Sequence, residues 1–130
     1  MISQTAAGAI LDWLFLATDW ADLSGDFYIH LHTASPAGGD SSTNELTYTG
    51  YARVAVTRDL AGFTRSGDEV SNAAVIRFPS CSGGFDTATH FSVCLGGGAI
   101  VMSSALDAAM PISSGIQPEF EIGALVATVG

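Results

Sequence analysis

The stretch DFYIHLHT, residues 26–33, decides the fold class of this chain. Its apolar and polar side chains alternate, with Phe27, Ile29 and Leu31 on one side and Tyr28, His30 and His32 on the other. A period of two is typical of a β-strand with two different faces. The same period returns at residues 51–58, 88–95 and 99–106, and runs rich in Gly and Pro separate these segments as turns.

Shorter segments complete the predicted strands. Residues 62–65 and 69–71 flank a turn at Ser66-Gly67-Asp68, which predicts a hairpin. Further strands are expected at residues 74–78 and 118–129, the latter as one or two strands around a bulge at Gly123. Eight or so short strands at this spacing predict a mainly β fold: a two-sheet, jelly-roll-like β-sandwich with one N-terminal α-helix.

A chain of 130 residues is one domain, here with the helix within residues 1–24 and the sandwich at 26–130. The helix is expected from Thr5, a candidate N-cap, to Leu23, with a stop signal at Ser24-Gly25. Its apolar side chains fall on more than one face: Ile10, Leu11, Trp13, Leu14, Phe15, Leu16, Ala17, Trp20, Ala21 and Leu23. Such a helix is either covered by its own sheet and by a neighbouring protein, or sunk under loops of its own domain.

The charge pattern narrows the classes of partner. Only 13% of the residues are charged, against about 25% in an ordinary soluble domain. There is no Lys, and the formal net charge is −9. Nucleic acid and anionic membranes are therefore unfavourable partners, and a protein with basic patches is a favourable one. A surface this poor in charge suits a subunit covered by neighbours, although an acidic monomer is the alternative.

Targeting and membrane signals are not evident near the N-terminus. A signal peptide would have basic residues before its apolar segment, and none is present here. Asp12 and Asp19 also interrupt the apolar segment, which leaves it too short to span a membrane. We therefore expect synthesis in a reducing compartment. Cys81 and Cys94 lack the spacing of a metal site or a disulfide framework and are expected to be free thiols.

The histidines are the strongest hint of chemistry in the sequence. His30 and His32 point the same way on a strand, and His90 is a third candidate ligand for a metal. We favour the alternative that they are polar residues on the wetter face of the strand, because Ala34, Ser35 and Pro36 follow where a jelly-roll metal site has a Glu. No nucleophile elbow or phosphate loop is present. We expect no catalytic residue, no metal and no cofactor.

Tyrosines raise one further possibility. Tyr28, Tyr48 and Tyr51 would bind carbohydrate if they were exposed on a sheet face, but core packing is the favoured reading of all three.

Several segments of the chain resemble a known family. The most specific is Tyr48-Thr49-Gly50-Tyr51-Ala52-Arg53. The others are Leu31–Pro36, Asn44–Thr47, Val54–Val56, Gly62–Thr64, Val70–Ala74, Phe78-Pro79, Thr89–Phe91, Ser113–Ile116, Pro118–Phe120 and Gly123–Leu125. Together they resemble a family of small tailed-bacteriophage virion proteins. The resemblance implies a capsid cement (decoration) role or a tail-associated role, with no catalytic residue and no cofactor.

From these observations we expect a non-enzymatic capsid cement protein on the outside of the virion, synthesised in the host bacterial cytoplasm. It would bind the major capsid protein, stabilise the shell and form a homo-oligomer; the alternative is a tail or tail-fibre protein that contacts the host surface. The expected contact residues lie on the helix and in the loop Ser35–Thr49: Leu11, Phe15, Trp20, Pro36, Asp40, Glu45 and Tyr48. Arg53 is expected to position that loop through Asp40 or Glu45.

Overall fold

The computed structural model describes residues 2–20, 23 and 25–128, which form one helix and nine strands. The helix α1 spans Gln4–Leu16. The strands are β1 (Phe27–His32), β2 (Val54–Val56), β3 (Phe63–Ser66), β4 (Glu69–Asn72), β5 (Ile76–Arg77), β6 (Asp86–Cys94), β7 (Ile100–Ile112), β8 (Glu119–Phe120) and β9 (Val126–Thr128). The chain is mainly β with one N-terminal helix, as the sequence predicts.

The strands pair into antiparallel sheets arranged in two layers. One layer is the sheet β2-β1-β6-β7, in which Ile29 lies opposite Val93 and Leu31 opposite Phe91. The sheets β3-β4-β9 and β5-β8 cover its inner face. The arrangement is sandwich-like, but the second layer is divided into two small sheets where the sequence predicts one.

Aromatic contacts join the two layers across the core. Phe91 of β6 meets Phe120 of β8 edge-on, with ring centroids 5.6 Å apart. Phe27 of β1 meets Phe63 of β3 in the same way at 5.9 Å. Edge-to-face pairs at this distance add to the free energy gained from burying the rings. The alternating residues of the first layer and these rings therefore form one continuous core.

The last two strands belong to different sheets. β8 pairs with β5, and β9 pairs with β4, so the predicted bulge at Gly123 is wrong and a turn takes its place. Gly123 has a φ of +80°, a conformation that glycine adopts without steric cost. The final strand was predicted to extend to Val129, which lies outside the described residues.

Asn72 fastens this turn to β4 from inside the protein. Its side chain is buried, and Nδ2 donates to the carbonyl oxygens of Ala74 at 2.8 Å and Glu121 at 2.9 Å. Oδ1 accepts from the Leu125 amide at 3.0 Å. The side chain therefore satisfies three backbone groups that β pairing leaves free.

The N-terminus of α1 is capped two residues earlier than the sequence indicates. The Ser3 hydroxyl oxygen accepts from the Ala6 amide at 3.0 Å, so Ser3 is the N-cap and the predicted cap, Thr5, lies inside the helix. The cap satisfies one of the amides that a helix start leaves without a partner.

The helix ends well before Leu23, where the sequence predicts its end. Ala17 takes a left-handed conformation with φ 52°, and the Thr18 amide donates to the Asp12 carbonyl at 3.1 Å. This turn closes the last carbonyls of the helix although no glycine is present. Trp20 and Leu23 therefore follow the helix, and Ala21 and Ser24 lie outside the described residues.

Candidate functional site

Most of α1 is exposed to solvent in the described part of the chain. Among the residues of α1, all of which the structure describes, Ala6 is the only buried one. The exposed fractions of its large apolar side chains run from 40% to 73%: Ile10, Leu11, Trp13, Leu14, Phe15 and Leu16. The helix thus offers water an apolar surface that a packed helix would bury.

This apolar surface runs almost all the way round the helix. Successive residues are turned by about 100°, so Leu14, Leu11 and Phe15 follow one another round one side, and Leu16 and Trp13 cover the other. Asp12, the only charged residue of α1, sits between Phe15 and Leu16. A helix apolar on all sides is normally buried on all sides.

The strands and loops of residues 25–128 are called the β body below. The first residues of the chain hold the helix to this β body. The Ser3 amide donates to the Val101 carbonyl of β7 at 2.7 Å, and Ile2 forms a β-bridge with Met102. The alternative of burial under loops is therefore wrong, the contact with its own sheet is limited to the start of α1, and cover by another protein stays a prediction. The edge of β7 holds residues 2 and 3, and among the described residues only the segment that follows α1 lies beside its later turns.

The segment after the helix turns back beside it. Trp20 is half-buried, and it lines a cleft of about 420 Å³ together with Ile10, Trp13 and Leu23. Of the three contact residues predicted on the helix, Leu11 and Phe15 are exposed at 55% and 73%. Trp20 is partly withdrawn from the surface and does not share a helix with them.

The contact residues predicted in the loop differ in their exposure to solvent. Pro36 and Tyr48 are buried, and the Tyr48 hydroxyl donates to the Pro79 carbonyl at 2.6 Å, so neither offers surface to a partner. Asp40 is exposed in a turn, where its carboxylate accepts from the amide and hydroxyl of Ser42. Glu45 is mostly buried. The loop is thus mainly a structural cover, and of its predicted residues Asp40 is the one most open to solvent.

Glu45 is the anchor of this loop. We define the covering loop as residues 33–53, between β1 and β2. The Glu45 carboxylate, 11% exposed, accepts hydrogen bonds from the Tyr51 hydroxyl at 2.7 Å and from Arg53 at 3.0 and 3.2 Å. It also lies 2.7 Å from Nδ1 of His30. Arg53 thus contacts Glu45, one of the two loop carboxylates predicted as its partner, while its role in positioning the loop stays a prediction.

The charges of this cluster set its titration behaviour. Burial would raise the pKa of Glu45, but the hydrogen bonds from Arg53 and Tyr51 and the charge of His30 outweigh burial and lower it. Burial lowers the pKa of His30 in spite of the neighbouring carboxylate. Burial also raises the pKa of Tyr51, whose hydroxyl accepts from the Leu31 amide at 3.1 Å. At neutral pH the cluster therefore consists of a carboxylate, a charged guanidinium, a neutral imidazole and a neutral phenol.

His32 is locked beside it by the same loop. One ring nitrogen, Nδ1, lies 2.8 Å from the Thr43 carbonyl, and Nε2 lies 2.7 Å from the Ser92 hydroxyl. Since a carbonyl only accepts, Nδ1 carries the proton and Nε2 accepts from Ser92 when the ring is neutral. Burial lowers the pKa of His32. The ring is a structural hydrogen-bonding group with no nitrogen left for a metal.

The prediction that the two histidines lie on a wetter face of the strand is therefore wrong. His30 and His32 are 1% and 0% exposed because the covering loop lies over that face of β1. His90 hydrogen-bonds to Thr89 instead. Among residues 2–20, 23 and 25–128, no three His, Cys, Asp or Glu side chains are grouped as a metal site would require.

The thiols of both cysteines are buried, as the two histidines of β1 are. Cys81 and Cys94 are free and buried, and burial raises the pKa of Cys94 to about 11. A thiol in that state is mostly protonated and a poor nucleophile.

One partner of Glu45 was missed from sequence. Tyr51 and Arg53 are two residues apart and so share one face of an extended segment, which was a usable signal. The carboxylate that they bind was recognised only as a partner of Arg53. The exposure of α1 beyond its first turn had no signal in the sequence, because an apolar helix is normally covered.

The fold and the helix together define a small antiparallel β protein that carries a projecting apolar helix. The sequence matches the model of one protein family, described as podophage GP4 fiber I protein gp80, over residues 1–128. The chain therefore belongs to this family of tailed-phage virion proteins, which confirms the resemblance seen in the sequence. A search of curated proteins finds no match. Within the described residues, no helix has the length and apolar content to span a membrane.

Proposed function

We propose that this protein is a non-enzymatic subunit of a tailed-phage fibre and is attached to the rest of the virion through α1. The family description names a fibre protein, which favours the tail-fibre alternative over the capsid cement role favoured from sequence. The β body then serves as the rigid part that the helix holds in place.

The observation that carries this proposal is the exposure of α1. Trp13 and Leu14 are 60% and 61% exposed on a helix with a single charged residue. Burying such a side chain completely is worth about 1.5–3 kcal/mol, so covering this helix gives a large driving force for association. An isolated helix of 13 residues is also marginal in water, and a partner would stabilise its later turns.

The side chains best suited to catalysis or metal binding, the histidines of β1 and the cysteines, are not accessible to a substrate, which supports a structural role. Both histidines of β1 are buried and hydrogen-bonded, and both cysteines are buried. The covering loop is held by the Glu45 cluster and by main-chain bonds such as Leu46 to Leu31, at 3.0 Å. These contacts favour a stiff body that transmits force over one that binds and releases a substrate.

Capsid cement remains a second candidate because of the charge. A net charge of −9 without any Lys disfavours the DNA-filled interior and suits the outer surface of the shell. In that role the partner would be the major capsid protein, and many weak contacts would act together. Copy number separates the two: a number comparable to that of the major capsid protein indicates cement, and a far smaller one indicates a fibre.

Incorporation into particles tests the attachment. In phage that carry the double variant Trp13→Gln/Leu14→Gln, we expect the subunit to be made and folded but to be missing from purified virions. The matched control is Phe85→Gln/Ile122→Gln, since these residues of the β body are 66% and 67% exposed. The control should be incorporated normally. Incorporation of the helix variant at the wild-type level would overturn the proposal.

A further inference from the structure

An apolar cavity opens between the two layers of the β body. It has a volume of about 350 Å³ and is lined chiefly by apolar side chains, including Phe27, Phe63, Val70, Met102 and Leu125. An apolar cavity of about 150 Å³ is enough to bind benzene. This cavity therefore has room for an aromatic side chain.

We propose that Phe15 of one copy inserts into this cavity in a second copy, with Asp12 facing Arg58 at the cavity rim. The inference rests on the proposed function in that α1 is the attachment element, and it names a second copy of the chain as one of its partners. The reciprocal arrangement, with each helix in the other copy's cavity, closes a two-fold dimer.

The helix cannot reach the cavity of its own chain. Ile2 lines the cavity and is fixed to β7, so the rim lies at the base of α1. With a rise of about 1.5 Å per residue, Phe15 lies about 20 Å further along the helix axis. A straight helix held at its base does not return to that base, so an aromatic ring from α1 must come from another molecule.

The residues on one face of the helix match the cavity and its rim. Asp12 lies three residues before Phe15, so the two side chains are neighbours on the same face of α1. Arg58 lines the cavity, and its guanidinium donates to the Leu23 carbonyl at a long 3.5 Å; in the described part of the chain it pairs with no carboxylate.

Asp59 lies beside Arg58 at the rim. Its Oδ1 already accepts from Thr57 and from the amides of Ala61 and Gly62, so this carboxylate is committed to its own turn. Arg58 is the basic residue left to face Asp12.

The exposed apolar area on this side of α1 can be compared with the area buried in a standard protein–protein interface. Phe15, at 73% exposure, offers about 110–180 Å² on the usual area of an aromatic side chain. The aliphatic residues of α1 and the cavity walls add to this, against about 800 Å² per partner in a standard interface. Insertion of Phe15 uses the side of α1 that also carries Leu11 and Leu14, and it leaves Trp13, on the opposite side, free for the rest of the virion.

Charge reversal tests the pairing in the purified full chain. We expect the wild type to be a dimer by light scattering after size exclusion. Asp12→Arg and Arg58→Glu should each raise the dissociation constant at least about tenfold, since like charges then meet. The double variant should return to within about threefold of the wild type. Arg65→Glu, at an exposed Arg outside the cavity lining, should not rescue Asp12→Arg.

Filling the cavity tests the site independently of the helix. Ala127 lines the cavity, and Ala127→Phe places a ring where Phe15 would enter. We expect this variant to be a folded monomer by circular dichroism and light scattering. A dimer that survives Ala127→Phe, or a double charge variant that is no tighter than the singles, overturns the inference. A monomeric wild type overturns it as well, whereas loss of Trp13→Gln/Leu14→Gln from virions would then still support the attachment role.

Discussion

Removal of the Glu45 side chain should release the covering loop from the face of β1. In Glu45→Ala, His30 and Tyr51 each lose a hydrogen-bonding partner at 2.7 Å. The imidazole is 2% exposed, so water cannot replace the carboxylate without opening the loop. The variant should therefore fold, but with a loop that is less firmly attached and a lower free energy of unfolding.

The size of the expected loss in free energy of unfolding depends on which of the Glu45 contacts are buried. A buried donor that loses its only acceptor costs about 1–3 kcal/mol, and His30 and Tyr51 are two such donors here. Here the Arg53 side chain is 48% exposed, so its share of the cluster is below about 1 kcal/mol. We expect Glu45→Ala to cost about 3–4 kcal/mol, which for a domain of this size lowers the melting temperature by about 12 °C.

The matched control is Arg53→Ala, which removes the exposed half of the cluster and leaves the contacts to His30 and Tyr51. It should cost less than about 1 kcal/mol. Thermal and urea unfolding of both variants at neutral pH, with limited proteolysis of residues 33–53, measure the difference. If Glu45→Ala costs no more than Arg53→Ala, the buried contacts do not hold the loop and the reasoning fails.

Three further predictions concern acid, the C-terminal turn and the helix cap. Burial lowers the pKa of His30 and His32 in the folded protein below the value of 6.5 that holds in the unfolded chain. As the pH falls, these histidines therefore bind protons in the unfolded chain before they do so in the folded protein. The free energy of unfolding should be highest above about pH 6.5 and fall as the pH drops through that value. A melting temperature that stays level between about pH 7.5 and about pH 5 would contradict this linkage. Asn72→Ala leaves the buried Leu125 amide and the part-buried carbonyls of Ala74 and Glu121 without this partner and should cost about 2–3 kcal/mol in urea unfolding, while a loss below about 1 kcal/mol would mean that water replaces the side-chain amide. Ser3→Ala should destabilise α1 by about 1 kcal/mol, seen as faster hydrogen exchange of the helix amides with little change in the β body; equal effects on both would show that helix and body unfold together.

Local patterns in the sequence determined the elements of the fold. The alternation at residues 26–33 predicted β1, and the turn at Ser66-Gly67-Asp68 predicted the hairpin of β3 and β4. The apolar period predicted a helix at the N-terminus. These features depend on side-chain spacing along a few residues, which is fully present in the sequence. The pairing of Arg53 with Glu45 was likewise within reach, because the two lie eight residues apart in one loop.

The end of the helix was not determined by pattern. The apolar period continues through Ala17 and Trp20, yet Ala17 adopts a left-handed conformation without the Gly that usually marks such a cap. The predicted bulge at Gly123 failed for a related reason, since whether a glycine makes a bulge or a turn depends on which strands its neighbours join.

Only the tertiary structure decided which surfaces are covered. The sequence places His30 and His32 on one face of β1, but the covering loop buries them through contacts with Thr43 and Glu45. The sequence also makes α1 apolar, and the structure leaves that surface bare because its contact with β7 ends after the first turn. Periodicity specifies the faces of an element, whereas burial depends on segments distant in the chain, and their meeting is set by the packing of the whole protein.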